Sequence, residues 1–170
     1  MIPDNSVLQL ASLLVAKEVT PDLIETLQNP AVSKMLISLE PDAKDLLTRN
    51  WTTNDYEDAA VEFCRLFILN PTVPARAAAW LEDQPDEIAS RIQFMLDQGF
   101  LVLPESHKTL TPDHLSVLLI IQCSLGEEDD GQFWSDNVTP WLPSFAKALQ
   151  EKSTSPLYRL VGKLLQSPKK

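Results

Sequence analysis

With 170 residues, 44% of them hydrophobic, the chain can build one well-buried domain or two small helical halves sharing a core. No stretch approaches the roughly 20 apolar residues of a membrane span. The formal charge of −10, from 24 acidic against 14 basic residues, disfavours nucleic acid and anionic lipid and favours a basic peptide or protein partner.

The start, Met1 to Asn5, lacks the basic region and small-residue cleavage site of a secretory signal. The two cysteines, Cys64 and Cys123, lie in apolar helical runs, as small reduced core side chains do. Both features read as cytosolic. Four glycines occur beside 13 prolines, and the prolines sit at helix entrances: Thr20-Pro21-Asp22, Asn29-Pro30, Glu40-Pro41-Asp42, Gln84-Pro85-Asp86-Glu87, Thr111-Pro112-Asp113 and Ser155-Pro156. No run shows clear period-two alternation, and Phe100 to Leu103 is the best extended candidate, so the fold reads as all-α, a single globular helical domain.

In chain order, helices are expected over Ser6 to about Glu18, Pro21 to Gln28, Pro30 to Leu39 and Pro41 to Asn50. Val19 and Ile24 form a hydrophobic staple around a Thr20 cap. Asn54, with Glu57 three residues on, caps a longer helix whose stripe is Tyr56, Ala60, Phe63 and Phe67 and whose end, by Asn70, is imposed by Pro71 and Pro74. Ala75 to Leu81 reads as a turn or short helix. Glu87 to Gln98 is helical and ends at Gly99 in a left-handed cap. Residues 99 to 110 form a connector between a larger N-terminal part (1–98) and a smaller C-terminal part (111–170), with domain swapping through it conceivable.

The C-terminal part opens with the strongest local signal in the chain. Thr111 suits an N-cap, Pro112 the first helical position, Asp113 the positive end of the helix dipole, and Leu110 with Leu115 a second staple. His114 then sits in the first turn of a helix apolar on nearly every side. After it come an acidic turn at Gly126 to Gly131, an aromatic stretch with Phe133, Trp134 and Trp141, and helices near Pro143 to Lys152 and Pro156 to Gln166, with a fraying tail.

Little here is built for catalysis. Cys123 lies nine residues beyond His114 on one helix, a rise of roughly 13 Å on the opposite side, so the two form no dyad. There is no Gly-rich phosphate loop and no metal-ligand spacing among the cysteines and histidines, so neither cofactor nor metal is expected. A hydrolase using His114 as general base is the enzyme alternative.

The run Leu110-Thr111-Pro112-Asp113-His114-Leu115-Ser116-Val117-Leu118-Leu119 resembles the signature of the TorD/DmsD/NarJ family of redox-enzyme maturation chaperones. Phe63-Cys64-Arg65-Leu66-Phe67-Ile68-Leu69-Asn70-Pro71-Thr72-Val73-Pro74 looks like the same family's aromatic-x-x-Leu-Phe helix end and Pro-rich loop. The resemblance covers essentially the whole chain and implies an all-α cytosolic chaperone. Its partner would be the N-terminal, usually twin-arginine, leader and precursor of a molybdenum-containing oxidoreductase subunit, shielded until its cofactor is loaded. The leader-binding residues it carries over are Phe63, Leu66, Phe67 and Pro74 on one side, and Asp113 and His114 on the other. Asp113 would accept from a guanidinium, the aromatics would hold the leader's apolar part, and His114 would bond the peptide or fix the connector. Two departures stand out: Leu110-Thr111 replaces Glu-Pro, and Ala75-Arg76-Ala77-Ala78-Ala79 follows Pro74 where an aromatic and a small hydroxyl residue are usual. They leave open whether the leader is a true twin-arginine signal. A helical adaptor that binds a mature partner through the Trp-rich C-terminal half is the alternative.

Overall fold

Asp4, two residues before the expected start, opens the first helix: its Oδ1 accepts from the Ser6 and Val7 amides at 3.0 and 3.1 Å. In the computed structural model, which describes residues 2–125 and 131–166, ten α-helices follow in order. They are α1 Asn5–Ala16, α2 Pro21–Gln28, α3 Pro30–Leu39, α4 Lys44–Thr48, α5 Thr53–Phe63, α6 Glu87–Asp97, α7 Leu115–Leu125, α8 Gln132–Asn137, α9 Leu142–Lys152 and α10 Pro156–Gln166. No helix among them is long and apolar enough to cross a membrane. The acidic run 126–130 and the tail 167–170 lie outside the described residues.

The proline-marked entrances at α2, α3 and α10 fall where expected. Thr20 accepts from the Leu23 amide and Asn29 from the Ala31 amide, leaving Pro21 and Pro30 at first positions where no N–H is missed. Val19 and Ile24 are both buried, as a staple requires. The segment after Pro41 is shorter than expected, a 3-10 turn at Pro41–Ala43 running into α4. The α5 cap is also corrected: Thr52, not Asn54, holds a reciprocal capping box with Asp55. Arg49 competes for this corner, clamping Asp55 with two bonds of 2.6 Å, and so draws the helix start two residues back. Gly99, with φ of 73°, ends α6 as a left-handed cap.

The central helix is the largest correction. It begins at Leu115, and Thr111 to His114 form a turn in which the His114 amide donates to the Thr111 carbonyl at 2.9 Å. Thr111 therefore caps nothing, and Pro112 precedes the helix. Phe100 to Leu103 forms no strand among the described residues, and the aromatic stretch contains a short helix, α8, that periodicity did not signal.

α1 packs against α7 and α10, and α10 packs in turn against α9 and α3. The first helix thus shares one core with the C-terminal ones. Gly162 permits the close approach of α10 to α9: a Cβ there would lie 3.2 Å from the Ala146 carbonyl oxygen. Buried Glu40, at the end of α3, bridges Arg159 (3.2 Å) and Lys163 (2.9 Å) of α10.

Candidate functional site

The site is built where the end of α5 meets the start of α7. After Phe63 the helix widens into a π turn over Cys64–Ile68, closed by the Leu69 amide on the Cys64 carbonyl at 2.9 Å. The wider turn frees two carbonyls, and the returning loop takes both: Thr72 donates to Arg65 at 3.2 Å and Val73 to Leu66 at 2.9 Å. Asn70, with φ of 45°, makes the reversal. Ile68 and Leu69 are left with 55% and 72% of their surface in solvent.

The loop then reaches α7. Leu115 donates its amide to the Ala75 carbonyl at 2.8 Å, Ala77 donates to the Asp113 carbonyl at 3.1 Å, and Arg76 and His114 form an isolated antiparallel bridge. The two motif-bearing segments are therefore bonded to each other through residues 72–77. Trp80 fastens the loop from beyond by donating its indole N–H to the Pro74 carbonyl at 2.8 Å and packing edge-on against Phe145.

Asp113 is wholly buried. Its Oδ2 accepts from the Ala78 amide at 3.0 Å and from the Arg76 guanidinium at 3.4 Å, and its Oδ1 has no hydrogen-bond partner among the described residues. The expected helix-start role is replaced by this clasp, because the carboxylate is spent on the loop 35 to 37 residues upstream. The arginine that looked misplaced in sequence is its counter-ion and keeps 45% of its side chain in solvent.

His114 caps α7. Its carbonyl accepts from Leu118 at 3.1 Å, and its ring Nδ1 accepts from the Ser116 amide at 3.2 Å, which requires an unprotonated Nδ1. Burial, with the charges of His107 and Arg76 adding and Asp113 opposing, pushes the His114 pKa down to about 4. The connector is held by the other histidine. His107 Nε2 lies 2.9 Å from Ser116 Oγ and 3.3 Å from Ser12 Oγ, and the two serine oxygens are 2.6 Å apart. Ser106 caps the ring's other side at 2.9 Å from Nδ1. Sequence periodicity marks Ser12 and Ser116 as interruptions in apolar faces, the only signal of this cluster. All three groups are buried, so the serine–histidine contact ties α1, α7 and the connector and gives a substrate no approach as it stands.

Burial also pushes the His107 pKa down, helped by Lys17. Both histidines bind protons more weakly folded than unfolded, so their contribution is present above about pH 6.5 and is lost at lower pH, for His114 as pH falls through about 4. Urea unfolding is expected to show a loss of about 2–3 kcal/mol from His114 between about pH 7.5 and 4.5. His114→Gln should flatten that part of the profile.

Phe63, Leu66 and Phe67 are buried and Pro74 is half-buried. Phe63 and Phe67, 5.3 Å apart, pack with Tyr158 of α10 at ring-centroid distances of 6.3 and 5.7 Å, an aromatic cluster that supports the π turn from beneath. Tyr158 donates its hydroxyl to the Ala59 carbonyl at 3.2 Å, and burial raises its pKa. The surface of the site is instead Ile68, Leu69, Thr72 and Arg76. In the Trp-rich half, Trp134 and Trp141 are core residues as well.

No cluster of histidine, cysteine or carboxylate side chains among the described residues has the arrangement to hold a metal ion. The two cysteines are free thiols, both half-buried. No known family model matches the chain, and a search of curated proteins finds no match.

Proposed function

We propose that the chain is a cytosolic, system-specific chaperone without catalytic activity of its own. It binds the N-terminal, twin-arginine-type leader of a molybdenum-containing oxidoreductase subunit and assists cofactor loading and assembly before export. The observation that supports this reading is the junction itself. Two segments that separately resemble a chaperone signature, one around Phe63 to Pro74 and one around Asp113-His114, are hydrogen-bonded to each other across the loop they flank. Ile68 and Leu69 offer apolar surface there, and the acidic chain attracts a basic leader.

In this arrangement Phe63, Leu66, Phe67 and Pro74 hold the loop's shape from below, and His114 fixes the start of α7. Asp113 acts by neutralising Arg76, so that a leader guanidinium meets no uncompensated cation. Calorimetric titration with twin-arginine leaders of candidate molybdoenzymes is the test. The expected dissociation constant is about 1 μM or below, roughly −8 kcal/mol, weakening with added salt, with a Lys-Lys control peptide and with Asp113→Asn. Absence of heat with every leader would turn the function toward a mature-protein partner.

A further inference from the structure

On another side of the molecule, α2 and the start of α5 enclose an open cleft of about 610 Å³ lined by Ile24, Glu25, Gln28, Asn50, Trp51 and Tyr56 among others. Two aromatic rings stand at its edge, Trp51 and Tyr56, with centroids 5.1 Å apart and planes tilted by 56°. Both are half-buried, and the indole is fixed because its N–H donates to the Leu46 carbonyl at 2.8 Å. The same carbonyl accepts from the Gln28 amide at 3.1 Å, and Gln28 also donates to the Arg49 carbonyl at 2.6 Å, so the donors of Trp51 and Gln28 are spent on backbone carbonyls.

The charge balance is one-sided. Glu25 is the only charged side chain lining the cleft, it is exposed, and it has no ion pair among the described residues. The nearest sequence cation, Arg49, is used up by Asp45 at 2.7 Å and by the two bonds to Asp55. An aromatic pair and a single unpaired carboxylate lining one cleft are the chemistry that receives a cation: ring faces attract it through their quadrupole, and the carboxylate accepts its N–H groups.

We infer that this cleft binds a guanidinium group, as carried by an arginine side chain of a peptide partner. A guanidinium suits it better than an ammonium because it is planar, stacks on an aromatic face, is weakly hydrated and presents a donor fork to Glu25. In a cleft this open, the strongly hydrated ammonium gives up more solvation for the same contact. The inference stands apart from the leader reading, since the cleft lies on α2 and α5 and requires no leader sequence.

The test is NMR titration of the full-length, nitrogen-15-labelled protein with N-acetyl-arginine-N-methylamide, the lysine analogue, and the neutral citrulline analogue. The arginine probe should shift the Trp51 indole N–H signal saturably, with a dissociation constant of about 1–10 mM. The lysine probe should bind at least about threefold more weakly and citrulline not measurably. Glu25→Gln, at an exposed position, should weaken the arginine probe about three- to fivefold, and Tyr56→Leu should weaken it similarly. No saturable shift at about 20 mM, an equal response to citrulline, or full affinity in Glu25→Gln would overturn the assignment. Site variants separate this result from that of the leader titration: Asp113→Asn should leave the arginine probe unchanged, whereas Glu25→Gln should weaken it.

Discussion

Asp113→Ala is expected to lower the free energy of unfolding by about 3 kcal/mol. The carboxylate is wholly buried and is the acceptor for the Ala78 amide at 3.0 Å, so its removal orphans that donor and opens a void under the loop. Arg76 loses less, because nearly half of its side chain already reaches water. Asp113→Asn should recover most of the loss, since a carboxamide oxygen can still accept from Ala78 and no buried charge remains to be compensated. Denaturant unfolding with an unchanged slope reads both values. A loss below about 1 kcal/mol for the alanine variant would mean that the clasp between the loop and α7 is held by its backbone bonds alone.

Trp141→Ala carries the other large effect, about 4 kcal/mol. The ring is fully buried, packs edge-on against Phe145 at 5.6 Å and donates its N–H to the Asn137 carbonyl at 2.8 Å, closing the turn from α8 into α9. Removing it deletes a large buried surface, leaves a cavity between these helices and strands one acceptor. Trp141→Phe should cost about half as much, because most of the ring volume returns while the carbonyl stays unpaired. Urea unfolding followed by far-UV dichroism, which does not depend on the lost indole fluorescence, is the suitable readout. A change under about 1 kcal/mol for Trp141→Ala would show that this tryptophan is not part of the packed core.

The contrast between Asp113 and the well-predicted helices shows what was readable from sequence. Helices α2, α3 and α10 were legible to the residue because each is announced by a capping side chain or a proline whose effect is complete within one turn. The same local grammar failed at Thr111-Pro112-Asp113. There the Ala75 carbonyl accepts from the Leu115 amide, and Asp113 accepts from the Ala77 amide on its carbonyl and from the Ala78 amide on its carboxylate; these long-range bonds outweigh a local cap and delay the helix to Leu115. The start of α5 differs from the local signal for a related reason, since Arg49 anchors Asp55 and the capping box forms with Thr52.

At the candidate site the two motifs meet, but the burial of Phe63, Leu66, Phe67 and Asp113 is not legible in the sequence. Helical spacing marks Phe63, Leu66 and Phe67 as one face but cannot say whether Tyr158, almost a hundred residues later, covers it. The pairing of Arg76 with Asp113 is likewise a contact between distant segments. His107, placed in the connector without a role, holds the clasp assigned to His114 because its ring meets hydroxyls on two separate helices.

Hydrogen exchange of the full-length protein with and without a twin-arginine leader tests the central claim most directly, because it locates the partner as well as detecting it. Bound leader should slow exchange of the loop amides from 69 to 80 and of the turn from 111 to 116, and leave α8 and the start of α9 unchanged. Slowing confined to 132–142, or no slowing anywhere under saturating leader, would contradict that claim.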